Sequence, residues 1–173
     1  REAVHALASL AAVDQLPALV EELEGPRHRE DWEVRTAMVE AMGQFRDEGA
    51  GPALTRLIRD EDERVAAASI QAVGLIGYRP AYPALSNLFR SSFDGDVRED
   101  ALQSIALMRD PDAVGLFEPL LDSREEKERE LAAEGLARLD YDASGFAARM
   151  EEEDEDSVRL ALAFARVASG QSA

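Results

Sequence analysis

Val65-Ala66-Ala67-Ala68-Ser69-Ile70-Gln71-Ala72-Val73-Gly74 decides the fold, because four other stretches align with it without a gap. They are Val34–Gly43 (VRTAMVEAMG), Val97–Ala106 (VREDALQSIA), Glu128–Ala137 (ERELAAEGLA) and Val158–Val167 (VRLALAFARV). Their starts lie 31, 32, 31 and 30 residues apart. A fixed period of this length is the signature of stacked repeats, each one supersecondary unit. Counting the first residue of each copy as zero, apolar or small residues fall at positions 0, 4, 5, 7, 8 and 11. In the quoted copy these are Val65, Ser69, Ile70, Ala72, Val73 and Ile76. That spacing draws one wide stripe along a helix of 3.6 residues per turn. Small residues at positions 4 and 7 let neighbouring helices approach closely. An acid stands three residues before each copy: Asp31, Asp62, Asp94, Glu125 and Glu155. There it can satisfy free backbone N–H groups and suits the helix dipole, Asp better than Glu.

A second helical pattern precedes each of these. Leu16-Pro17-Ala18-Leu19, Gly51-Pro52-Ala53-Leu54 and Tyr82-Pro83-Ala84-Leu85 open three of them, and proline is tolerated in a first helical turn. Val114-Gly115-Leu116-Phe117 and Ser144-Gly145-Phe146 open the other two. No window shows the period-2 alternation of a half-buried strand. The expectation is an all-α, right-handed α-solenoid of antiparallel helix pairs. It has about eleven helices in a single domain, 1–173. The repeats run about 13–46, 47–77, 78–109, 110–140 and 141–170, after a partial repeat at 1–12. Because the sequence opens on Arg1 inside a helical pattern, a piece of a longer chain is expected.

Composition narrows the function. Hydrophobic residues make up 46% and charged residues 32% of 173, which excludes disorder. There is no cysteine, hence no disulfide framework, thiolate metal site or cysteine nucleophile. The two histidines, His5 and His28, lie more than one helix apart and form no metal-ligand spacing. No apolar run approaches the ~18 residues of a membrane span, and a cytoplasmic protein is expected. A formal net charge of −17 argues against binding a phosphate backbone. Lys127 is the only lysine among 19 basic residues. Arginine with abundant acid fits either a GC-rich genome or an acidic surface suited to strong salt.

The Val-Arg pair, the upstream acid, the alanine-rich second helix and the Pro-Ala-Leu of the first helix together resemble HEAT repeats. The short unit is similar to that of phycobilisome lyase-type repeat proteins. This resemblance implies a polar ladder between repeats, carried by Arg35, Arg98, Arg129 and Arg159 with Asp31, Asp62, Asp94, Glu125 and Glu155. Ala66 breaks the pattern in the second copy, and Glu128 replaces valine in the fourth. It also implies that second helices line a concave face. Positions 2, 3, 6 and 10 are expected to be exposed there. The partner-binding residues are then Glu40, Gln44, Gln71, Leu75, Glu99, Gln103, Leu107, Glu130, Glu134 and Arg138. Amides and leucines flanked by acids suit a protein or peptide carrying basic residues.

Catalytic and cofactor readings find little to stand on. No Ser-His-Asp set and no phosphate-binding glycine loop is present, and the His-Glu pairs of iron-binding HEAT-like hydroxylases are absent. No metal, cofactor or catalytic residue is therefore expected. The run Glu151–Asp156 is read as a solvated loop whose last members cap the final helix. The basic stretch Gly25-Pro26-Arg27-His28-Arg29-Glu30 is read as a hinge, Trp32 as packing across a helix start, and Tyr78 and Tyr82 as turn packing. In the last copy Arg166 fills a core slot while Leu160 and Phe164 are apolar where other copies are polar. Either this helix is rotated, or it is a terminal cap exposing a patch for another chain or domain. The leading expectation is a non-enzymatic interaction scaffold. The alternatives are a bilin chromophore lyase-like subunit and a structural segment of a larger enzyme.

Overall fold

The computed structural model describes residues 16–25, 31–139 and 141–170. The partial repeat at 1–12, His5, and His28 with its neighbours 26–30 lie outside the described residues. Among the described residues there are ten α-helices and no strand. They are α1 (Leu16–Glu24), α2 (Trp32–Phe45), α3 (Gly51–Leu57), α4 (Glu63–Ile76), α5 (Tyr82–Ser91), α6 (Gly95–Met108), α7 (Val114–Leu120), α8 (Glu126–Ala137), α9 (Phe146–Glu152) and α10 (Asp156–Ala168). Odd-numbered helices are the first of each pair and even-numbered helices the second, matching the five expected pairs.

Two compact units divide between Leu85 and Ser86. In the first, α2 packs side by side on α4, and α3 packs on α4. In the second, α8 lies between α6 and α10, with α7 on α8 and α9 on α10. Each unit thus repeats one contact scheme, second helix on second helix with a first helix behind. This is the α-solenoid arrangement, in which a pair with too little apolar surface to fold alone buries its stripe on its neighbours.

Local chemistry sets the helix ends. The carboxylates of Asp31, Asp62 and Asp94 accept hydrogen bonds from the first-turn N–H groups of Val34, Arg64 and Asp96, at 3.2, 3.0 and 2.9 Å. Glu125 and Glu155 hold the same place without a side-chain cap bond, since the longer glutamate side chain is a poor N-cap. At the other end α4 stops on Gly77 at φ +71°, the left-handed cap that glycine reaches without penalty. Helices α2 and α6 stop on Arg46 and Arg109, both at φ +52°.

The predicted stripe is the core. Val65, Ser69, Ile70, Ala72, Val73 and Ile76 are all buried, as are Met38, Val39, Ala41 and Met42, and Ala101, Leu102, Ser104 and Ile105. Close approach is tight where small residues meet. A methyl built on Gly43 would lie 3.0 Å from the Ala72 Cβ of the next repeat. One on Gly51 would run into the Tyr78 ring, which is the turn packing expected of that tyrosine. A recurrence missed in the sequence also emerges. Ala50, Ala81, Ala113 and Ala143, 31, 32 and 30 residues apart, are all but fully buried just before the first helices.

Two expectations need correction. Position 3 is not an exposed position: Ala37, Leu131 and Ala161 there are buried, because it borders the stripe at positions 0 and 7. The last helix is not rotated, since Val158, Leu162 and Ala165 are buried at positions 0, 4 and 7 as in other copies. Leu160 and Phe164 consequently stand exposed, and Arg166 is half-buried.

Candidate protein-interaction surface

The second helices turn one face outward in each unit. In the first, Glu40 and Gln44 of α2 and Gln71 and Leu75 of α4 are exposed, as positions 6 and 10 require. In the second, Glu99, Gln103 and Leu107 of α6 are exposed, whereas Glu130, Glu134 and Arg138 at α8 are half-buried. The acids of α8 are already engaged. Glu130 accepts from Lys127 Nζ at 2.7 Å, and this hydrogen bond raises the lysine pKa above its usual value. Glu134 pairs with Arg138 at 3.1 Å. Among the described residues Glu40 and Glu99 have no ion pair; Glu99 lies near enough to Lys127 to help raise its pKa, so Glu40 is the more open of the two to an incoming cation.

The arginine ladder is present with different partners. Arg35 pairs with Asp60, Arg98 with Glu128, Arg129 with Glu153 at 2.8 Å, and Arg159 with Asp156 of its own helix. None of the expected acids Asp31, Asp62, Asp94, Glu125 or Glu155 is a partner to a ladder arginine. The three aspartates are held as caps by their own helices. The rungs use acids elsewhere in the following repeat. Asp60 and Glu153 lie five residues before Val65 and Val158, in the turn between the paired helices. That place is Ser123 in the fourth copy, and there Glu128 supplies the carboxylate instead. It bonds Ser123 Oγ at 2.6 Å as well as Arg98. The substitution of glutamate for valine is therefore a rung, not a packing fault. Arg98 also donates to the Phe89 carbonyl at 2.8 Å and lies over the Phe89 ring.

In the second copy, where Ala66 replaces the ladder arginine, Arg64 reaches back instead. Its guanidinium lies 3.5 Å from the centre of the Trp32 ring and pairs with Asp62 at 2.8 Å, a cation–π contact between successive repeats. Trp32 is thereby accounted for as packing. The acid run is only partly solvated. Glu153 belongs to the ladder, and its carboxyl is held below the usual glutamate range by the bonded Arg129 guanidinium.

A groove of about 650 Å³ opens in the second unit between the starts of α6 and α8. Its walls include the fully exposed ring of Phe93, the carboxylates of Asp96, Glu99 and Glu125, the cations of Arg98 and Lys127, and Leu102 and Leu131. Among the described residues no cluster of three metal-ligating side chains exists. No helix of the described residues is long and apolar enough to cross a membrane.

These features define an α-solenoid repeat protein. The HEAT-repeat family matches residues 16–106, more than half of the chain, and the chain belongs to that family. A solved structure of the complex of CpcE and CpcF of phycocyanin lyase from Nostoc sp. PCC7120 is similar in fold, with a TM-score of 0.70 at 22% identity. The match covers 91% of this chain and 65% of the lyase chain, so the chain spans about two thirds of that protein's length. A designed armadillo repeat protein in complex with the peptide (KR)4 is also similar, with a TM-score of 0.64 at 19% identity, covering 97% of this chain and 86% of the designed one. Comparison with curated protein sequences finds no match.

Proposed function

We propose that the chain is a non-enzymatic scaffold that holds a protein partner on the exposed face of its second helices, with a preference for basic segments. The observation that carries this is the division of labour among the acids. Asp31, Asp62 and Asp94 cap helices and Asp60, Glu128 and Glu153 bind arginines, while Glu40 faces outward beside Gln44, Gln71 and Leu75 in the first unit and Glu99 faces outward beside Gln103 and Leu107 in the second. In each unit, outward amides and a leucine beside a glutamate with no ion pair are complementary to an extended or helical segment bearing Arg or Lys. The Phe93 groove offers an aromatic face to one such side chain, with Asp96, Glu99 and Glu125 on a wall they share with Arg98 and Lys127. That the similar designed protein is solved with a Lys-Arg peptide supports the same reading. Binding then works by shape and charge in the cytoplasm, with no bond made or broken.

Fluorescence anisotropy of a labelled Lys/Arg octapeptide tests it. Binding is expected, weakening with salt, and falling severalfold in Glu40→Lys and Glu99→Lys. A peptide that ignores both reversals, or binds no better than a Glu octapeptide, overturns the proposal. A second reading, a bilin lyase-like subunit, draws on the likeness to the phycocyanin lyase chain. Covalent transfer of a bilin to an acceptor protein on mixing with this chain would establish it and remove the scaffold reading.

A further inference from the structure

We infer that the groove between the starts of α6 and α8 seats one arginine side chain of the partner, its guanidinium stacked on Phe93 and facing Asp96, Glu99 and Glu125. This deepens the scaffold reading above and rests on it. Phe93 is fully exposed, and its ring lines the groove. The repeat does not ask for a ring there. Four residues before the aligned stretch, the other four copies carry Glu30, Glu61, Arg124 and Asp154. This copy alone carries an aromatic side chain, and one left in water forgoes the free energy of its burial. Both walls belong to consecutive repeats, and the repeat that follows, α9 and α10, is in place.

The molecule shows twice what such a ring takes. The Arg64 guanidinium lies 3.5 Å from the centre of the Trp32 ring while paired with Asp62. That of Arg98 lies 4.2 Å from the centre of the Phe89 ring while paired with Glu128. In both, a flat cation meets an aromatic face and a carboxylate together. Phe93 presents a ring beside carboxylates in the same way, and among the described residues no guanidinium lies over it.

Charge sets the sign of the occupant. Of the two cations in the wall, Arg98 is held by Glu128 and Lys127 by Glu130 at 2.7 Å. Asp96, Glu99 and Glu125 are exposed and in no ion pair among the described residues, so the groove keeps a negative excess. Lys127 faces Glu99 at longer range and offsets part of that excess, so it opposes the incoming cation. The shape of the site sets the choice between cations. A planar guanidinium stacks on a ring and forks onto a carboxylate at once, whereas a lysine ammonium is a compact, strongly hydrated point charge.

Fluorescence anisotropy of two labelled octapeptides of equal charge, one of arginine and one of lysine, tests this on the full chain. The arginine peptide is expected to bind about 2- to 5-fold more tightly. Phe93→Ala and Phe93→Leu are each expected to erase that preference, the second while keeping an apolar side chain without a π face. Because Phe93 is exposed, both variants should keep the helical circular dichroism spectrum. Lys127→Met is expected to tighten both peptides severalfold. A wild-type chain that binds neither peptide overturns the scaffold reading and this inference with it. A wild-type chain that binds the two peptides alike, a preference that survives either Phe93 substitution, or weaker binding by Lys127→Met overturns the inference alone.

Discussion

Removing Glu153 should destabilise the second unit far more than removing an ordinary surface acid. Arg129 grips this carboxylate with two bonds, from Nε and Nη2, both 2.8 Å. Its remaining Nη1 donates to the Ser123 carbonyl at 3.0 Å. The two side chains are 16% and 11% exposed. Exposed ion pairs are worth about 0.2–1 kcal/mol, and breaking a fully buried pair costs about 3–5 kcal/mol. This pair is mostly covered but still wetted. Two charge-assisted bonds with good geometry then give a coupling of about 1.5–3 kcal/mol. The measurement is a double-mutant cycle of the wild-type chain, Arg129→Ala, Glu153→Ala and the double variant, by urea unfolding followed by circular dichroism at pH 7. The cycle subtracts the packing of the arginine stem, which Arg129→Ala also removes. Glu153→Ala alone should lower the melting temperature by about 3–12 °C, at ~2–4 °C per kcal/mol for a chain of this size. A coupling below about 0.5 kcal/mol would refute the reasoning, because the rung would then be no better than a solvent-exposed pair.

Other expectations follow from the same details. Acidification should unpick this rung. The folded-state pKa of Glu153 is depressed by Arg129, so its contribution is complete above about pH 4.5 and is lost as the pH falls through the lower folded value. The urea midpoint of the wild-type chain should therefore drop more steeply below pH 4.5 than that of Glu153→Gln. Two glycine-to-alanine changes in helices should have opposite signs. Gly115→Ala in α7 meets nothing within 4 Å and should stabilise by about 0.5–1 kcal/mol through helix propensity. Gly135→Ala in α8 drives a methyl to 2.5 Å from the Phe117 ring and should destabilise by about 1–3 kcal/mol, as thermal melts will show. Asp94→Ala removes a cap that serves both Asp96 and Val97 and should cost about 1 kcal/mol; an unchanged melting curve would mean the cap contributes nothing.

The repeat and its buried stripe can be read directly from residues, because burial against neighbours on several sides imposes the same small and apolar types at every copy. Val65, Ile70 and Val73 recur as Val34, Val39 and Met42 for that reason. The outward positions 6 and 10 follow from the same periodicity, which is why Gln71, Leu75, Gln103 and Leu107 stand where expected. The ladder does not reveal itself so easily. An aspartate immediately before a helix satisfies that helix's own N–H groups at no entropic distance, so Asp31, Asp62 and Asp94 are taken locally before any ladder arginine can claim them. The true partners, Asp60 and Glu153, were marked only by an acid five residues upstream in two of five copies. Glu128 carried no periodic mark at all. Its role depends on Ser123 being a serine, a relation between two positions rather than a property of either. That Lys127 bonds Glu130 and only faces Glu99 at longer range likewise rests on where its side chain points, which no spacing encodes.

The rungs have a consequence for anyone wishing to cut or rearrange this array. Arg35 finds its mate 25 residues on, Arg129 finds its own 24 residues on, and Arg98 must travel 30. A module carrying valine where Glu128 stands could follow Arg98 only if it brings an acid five residues upstream, as those of Asp60 and Glu153 do; one with serine there would strand a guanidinium. The bricks look alike, but their mortar is keyed, and shuffling them would scramble a code that sequence similarity between the bricks conceals.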